Sequence, residues 1–262
     1  MVQAATRLGK TRASAAVILL ALTGGCAGPH STDPVESSFS VNDVLGRCGA
    51  VYAEARTLRA RGLLRDYRGK TRRAVNIAWD FARPDRCRLQ IELEAALVVG
   101  DRWWTYDQTE QRYRPRSQFT RTPIETAAYM LSDGVPFLLP ALLTRGERAF
   151  GGGRTAGFGG WRLEGVQWHA ERPCYVVSRL ERGREGIVLR VWIDQDRYVV
   201  RGWALSWPKS GSGDGVLVGC SYYDVKVNEP LPLDRFALKP PQPIELSLPG
   251  PGENKEWTTD NE

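Results

Sequence analysis

The chain has 262 residues, 36 Lys and Arg against 30 Asp and Glu, 42% hydrophobic residues and only two histidines. That size and apolar content suit one globular domain. No basic run is interleaved with stacking aromatics, which argues against a nucleic-acid partner, and two histidines are too few for a histidine-rich zinc or iron centre.

Residues 1–25 read as a lipoprotein signal peptide. Arg7, Lys10 and Arg12 make a positive start, Ala13 to Leu22 is an apolar run of ten residues, and Thr23-Gly24-Gly25 lead to Cys26. Ten apolar residues are too few to span a bilayer as a helix. Removing this leader leaves 33 basic against 30 acidic residues, a balance of +3. The small residues before Cys26 resemble a bacterial lipobox, except that Thr23 stands where Leu is usual; secretion after ordinary cleavage near Gly25 to Gly28 is the alternative. Lipidation at Cys26 would attach several acyl chains, enough for stable anchoring. Ala27 in the next place favours the periplasmic face of the outer membrane.

Residues 26–39 are rich in Pro and Ser and predict a flexible tether, and 40–245 predict the folded domain. Ser40 followed by Asp43 suits a capping box, and Val44, Leu45, Cys48, Val51, Tyr52, Ala55 and Leu58 repeat at helical spacing. Strands begin near Gly62. From Thr71 to Gln108 an alternation of period two predicts three strands, turned at Arg83-Pro84-Asp85 and at Gly100-Asp101. On the first, Val75, Ile77, Trp79 and Phe81 share a face; on the second, Cys87, Leu89, Ile91, Leu93 and Ala95 do so. Arg112 to Gln118 continues the strands.

Thr122, Pro123 and Glu125 form a strong helix start, with a stop at Asp133-Gly134. A more apolar helix follows, with Phe137, Leu138, Leu139 and Leu142, which Pro140 should kink or shorten. Residues 150–160 are Gly-rich but lack the Lys-Ser/Thr of a phosphate loop, so a surface loop is expected. Strands over Tyr175 to Leu180, Ile187 to Ile193, Tyr198 to Trp207 and Val216 to Val227 then form a meander. Residues 246–262 predict a disordered tail.

The remaining cysteines, Cys48, Cys87, Cys174 and Cys220, are an even number in an exported chain, which predicts two disulfides; buried thiols are the alternative. No catalytic constellation stands out. His169 in VQWHAERP reads as a surface or satisfied histidine without a nucleophile motif. Glu92 and Glu94 would lie about 7 Å apart on one strand face, within glycosidase range, but they belong to a polar stripe alternating with apolar residues. No cofactor or metal is expected. Eight of the nine tryptophans lie in or beside predicted strands, so the dry face of the sheet is large and aromatic.

The run RPDRCRLQIE…VVGDRWWTYDQTEQRY, with VWIDQDRYVVRGW and YYDVKVNEPLPLDRFALKPP further on, resembles the LolA/LolB-like periplasmic lipoprotein-carrier superfamily. The likeness covers Leu45 to Pro243. It implies a mainly β fold with α, an open half-barrel of about ten to eleven antiparallel strands whose concave face is covered by helices. By analogy it implies binding of lipid or lipoprotein acyl chains as carrier or membrane-anchored acceptor. Ile77, Trp79, Phe81, Leu89, Ile91 and Leu93 would then line the cavity from the sheet, and Phe137, Leu138, Leu139 and Leu142 from a plug. A periplasmic sensor of envelope stress that binds a protein partner, or a structural envelope lipoprotein whose helices fill the groove permanently, are the other readings.

Overall fold

The computed structural model describes residues 39–67, 73–117, 122–132, 138–151, 160–180, 186–208 and 214–244. The first helix, α1 (Val41–Glu54), starts as its sequence predicts. The Ser40 hydroxyl accepts from the Asp43 N–H at 3.2 Å and the Asp43 carboxylate accepts from the Ser40 N–H at 3.0 Å. Those two bonds satisfy donors that the first helical turn leaves open. Accepting from Ser40, and lying near Arg47, holds the Asp43 carboxyl below the usual range. Val44, Leu45, Cys48 and Tyr52 are buried along one stripe. Leu58, placed on this helix by spacing, belongs instead to β1 (Thr57–Asp66), because the helix ends at Glu54 and the chain turns into the sheet five residues before Gly62.

Next come β2 (Arg73–Ala82), β3 (Arg86–Ile91), β4 (Glu94–Val99), β5 (Arg102–Asp107) and β6 (Arg112–Arg116). The single strand expected from Arg86 to Val99 is therefore two. Ile91 pairs with Glu94 across a tight turn in which Glu92 has φ 51°. The turn is held from outside: the Asn76 N–H donates to the Glu92 carboxylate at 2.6 Å, and the Glu92 N–H donates to the Asn76 carbonyl at 3.0 Å. A strand of unbroken alternation hides such a turn, because Glu and Leu are not turn-forming residues.

Two helices follow, α2 (Pro123–Leu131) and α3 (Leu138–Arg145). Thr122 caps α2 as expected, its hydroxyl accepting from the Glu125 N–H. Pro140 does not break α3. The helix begins at Leu138, so Pro140 sits in the first turn, where its missing N–H would have had no intrahelical partner. Then β7 (Arg162–His169), β8 (Arg172–Leu180), β9 (Val188–Asp194), β10 (Val200–Pro208) and β11 (Asp214–Val227) complete the strands.

All eleven strands form one antiparallel sheet in the order β6-β5-β4-β3-β2-β1-β11-β10-β9-β8-β7. It remains open, since β6 and β7 are not partners. This is the open half-barrel with covering helices that the superfamily resemblance implied. Its free edges are poor templates for further pairing. One carries Arg112, Arg114, Pro115 and Arg116; the other is distorted by a register shift at Gly165, where φ is 133°. At the centre, β1 pairs with β11, joining segments about 160 residues apart in sequence.

The helices lie on the inner face. Tyr52 of α1 accepts the Val200 N–H through its hydroxyl at 2.9 Å, tying α1 to β10. Arg83, in the β2–β3 turn and the first residue of the cis Arg83-Pro84 bond, fastens the other end. Its Nε donates to the Ala55 carbonyl at 2.7 Å, and its Nη2 to Ala53 at 2.7 Å and to Leu143 at 3.3 Å. One cation thus serves the C-terminal carbonyls of α1 and α3, where helix dipoles favour positive charge.

No disulfide links the four described cysteines, contrary to the pairing expected from their number. Cys48, Cys87, Cys174 and Cys220 are all buried thiols. Burial pushes the thiols of Cys48 and Cys87 up, and that of Cys220 up to about 12, so they are protonated and unreactive. The signal segment, Cys26, Phe137, the Asp133-Gly134 stop, most of the Gly-rich loop and the C-terminal tail lie outside the described residues.

Candidate functional site

The sequence-predicted cavity residues on the sheet come together, with one exception. Trp79 pairs with Leu89, Ile77 with Ile91, and Phe81 with Cys87, so Ile77, Trp79, Phe81, Leu89 and Ile91 form one patch on the helix-covered face. Leu93 does not join it. It occupies the β3–β4 turn and is 49% exposed. Leu139 and Leu142 of α3 are fully buried in the same core as this patch, and Leu138 packs on that core half-buried. None of the five sheet residues exceeds 2% exposure. The groove is thus filled by the protein's own helices at these positions.

Open volume lies at the end of the helix layer. A crevice of about 870 Å³ runs between α2 and β4–β6, lined by Trp103, Tyr106, Pro115, Tyr129, Met130 and Leu131 among others. Tyr129 and Met130 follow the buried Ala127 and Ala128 on α2, where the apolar stripe turns outward, and they are 46% and 60% exposed. Trp103 is buried at the crevice floor and belongs to the main core. Its indole N–H finds no acceptor among the described residues. The rim is polar. Arg116 donates to the Thr105 hydroxyl at 2.9 Å, and Asp107 pairs with Arg114 at 2.8 Å. The Glu110 N–H, with Arg114 beside it, holds the Asp107 carboxyl below the usual range. Glu94, Thr105, Gln108 and Ser117 also line the crevice, so polar and apolar groups share its wall about equally, and its volume falls within the usual span for a small-molecule site. Periodicity could not find this crevice, because it forms where a helix end meets three sheet strands. The exposed Tyr-Met pair at the end of an otherwise buried helix was its only trace in the sequence.

His169 is a buried histidine. It stacks on Trp192 with ring centroids 4.6 Å apart and is 4% exposed. Burial, with the Arg65 charge next, pushes its pKa from 6.5 down to about 3. The unfolded chain therefore takes up a proton between those values and the folded chain does not, so stability is full above pH 6.5 and declines as pH falls. Between pH 7.5 and pH 5 the unfolding free energy of the native chain should drop by about 2 kcal/mol more than that of His169→Phe, in urea titrations at each pH. Equal slopes for the two proteins would contradict this.

No family model and no curated protein matches the chain. Solved structures do resemble it. The MucA/MucB complex of Pseudomonas aeruginosa is similar over 75% of this chain, at 13% identity and a TM-score of 0.44, and this chain spans 60% of that one. An uncharacterized conserved protein of Thermus thermophilus is similar over 74% of this chain and 90% of its own, at 9% identity and a TM-score of 0.44. A LolA superfamily protein of Nitrosomonas europaea is similar over 76% and 98%, at 11% identity and a TM-score of 0.32.

Proposed function

We propose that the protein binds lipid or lipoprotein acyl chains in the periplasm, as carrier or membrane-anchored acceptor, with the α2 crevice as the entry to its site. The observation that carries this reading is the 870 Å³ crevice with Tyr129 and Met130 exposed at its mouth and Trp103 at its floor. Each methylene taken from water contributes about 0.8 kcal/mol, so a modest length of chain is enough for binding without catalytic groups. Met at the mouth adapts to irregular apolar shapes. Lengthening the site inward would require α2 or α3 to move off Ile77, Trp79, Phe81, Leu89 and Ile91. The anchor in this reading is acylated Cys26 on a signal-processed chain at the outer membrane, with residues 40–245 as the carrier domain. No helix among the described residues is long and apolar enough to cross a membrane.

The sealed inner face favours a second reading, a structural envelope protein whose helices fill the groove permanently. Mass spectrometry of organic extracts separates the two. The chain carrying Cys26→Ser, exported and purified without detergent, should hold phospholipid or acylated peptide. The double variant Tyr129→Glu, Met130→Glu should hold about tenfold less, because each charge must be desolvated against the crevice wall. An empty protein that takes up no lipid when offered it sinks the carrier reading. A stable protein partner with no lipid would point to a sensor.

A further inference from the structure

The outer face of the sheet, opposite the helices, carries a second cavity. After β11 the chain crosses back over β1, β2 and β3 as a strap spanning residues 230–244. A short 3-10 turn, Leu233–Phe236, seats Phe236 at 7% exposure. Beyond it three sheet side chains hold the strap by its carbonyls: Arg88 reaches Lys239 at 3.2 Å, Gln90 reaches Gln242, and Asn76 reaches Ile244 at 3.3 Å. Between strap and sheet lies a pocket of about 870 Å³. Its walls carry five cations and three carboxylates.

Their pairing decides what is left over. Arg61 grips Asp80 with two bonds of 2.8 and 3.1 Å, and Asp80 is only 4% exposed. Arg59 faces Asp224 at 3.4 Å, and Lys239 faces Asp234 at 3.3 Å. Every carboxylate in the pocket is therefore matched. Arg88 and Arg235 remain. Arg88 is half-buried, and among the described residues it donates only to the carbonyls of Arg235 and Lys239, at 3.4 and 3.2 Å. The Arg235 guanidinium has no carboxylate within reach among the described residues. The half-buried Arg88 guanidinium without a carboxylate is a standing incentive for an anion, the exposed Arg235 adds a second charge at the same pocket, and the planar fork of each matches phosphate oxygens.

We propose that this pocket binds a phosphate-bearing ligand, with Arg88 and Arg235 supplying the two positive charges that no carboxylate of the pocket offsets. Two uncompensated charges match a phosphate monoester better than a single carboxylate. The prolines of the strap, Pro232, Pro240 and Pro243, add an apolar wall for the body of such a molecule. The site is on the opposite face of the sheet from the α2 crevice and stands or falls independently of the carrier reading.

Calorimetric titration of the full chain bearing Cys26→Ser tests it, with two probes at constant ionic strength: inorganic phosphate and short-chain dioctanoyl phosphatidic acid. One-to-one saturable binding of phosphate itself assigns a soluble phosphate ligand. Binding of phosphatidic acid alone assigns a lipid headgroup, provided that Arg88→Gln, Arg235→Gln weakens it and Tyr129→Glu, Met130→Glu does not. The double arginine variant should lose about tenfold or more in affinity, as expected for two charge-assisted contacts. Should that variant melt early because Arg88 also holds the strap, Arg235→Gln alone decides, since its exposed side chain supports no other described group; a loss of about threefold is expected. No saturable binding of either probe, or unchanged affinity in Arg235→Gln, overturns the proposal.

Discussion

Replacing Asp194 with alanine is expected to lower the unfolding free energy by about 3–5 kcal/mol, read from urea titrations at neutral pH. Asp194 and Arg201 are 2% and 4% exposed, at the β9–β10 turn. One carboxylate oxygen accepts from Arg201 Nε at 3.0 Å and Nη2 at 2.9 Å. The other accepts from the N–H groups of Asp196 and Arg197, both at 3.0 Å. The carboxylate is therefore the counter-ion of a buried guanidinium and the organiser of a turn. Its removal leaves Arg201 charged and unmatched in a dry setting, with the Tyr223 carbonyl at 3.4 Å as a weak substitute. The pair itself is a different quantity, because desolvating both ions offsets much of their attraction. Asp194→Leu combined with Arg201→Met should accordingly recover the share of the loss that comes from the unmatched charge, and leave the share that comes from the turn's Asp196 and Arg197 N–H groups. A cost below about 1 kcal/mol for Asp194→Ala would show that the pair is wetter than its burial indicates.

A methyl group added at Gly62 should cost about 3 kcal/mol, while the same change at Gly46 should gain about 0.5–1 kcal/mol. Gly62 lies where the β1–β11 register shifts, and a Cβ there would stand 2.2 Å from the Ser221 carbonyl oxygen and 3.0 Å from the Tyr222 ring. The obstructing atom is backbone in the central strand pair, so relief requires β1 and β11 to separate. Gly46 is inside α1, with nothing within 4 Å of its prospective Cβ. There alanine only narrows the unfolded ensemble. Thermal unfolding of Gly62→Ala and Gly46→Ala, read by circular dichroism, checks both signs. Equal and small shifts would mean that the bulge tolerates a side chain.

What local chemistry governs was legible in the sequence. Ser40 with Asp43 and Thr122 with Glu125 fixed two helix starts, since a capping bond closes within four residues. Period-two alternation placed Ile77, Trp79 and Phe81 on the dry face, because successive side chains of a strand must point to opposite sides. Contacts between distant segments decided the rest. The β3–β4 turn at Glu92-Leu93 is imposed by Asn76 of a neighbouring strand, so alternation ran straight through it and put Leu93 in the wrong place. Arg83 reads as a turn residue, and only the arrival of α1 and α3 gives its guanidinium carbonyls to hold. The cysteines were countable, but the packing of each into apolar surroundings left four buried thiols instead of two bridges. An apolar face announces itself in the sequence, whereas whether helices or a ligand cover it depends on how closely those helices settle. Here Leu139 and Leu142 settle fully, and on the helix-covered face free space remains where α2 meets the edge of the sheet.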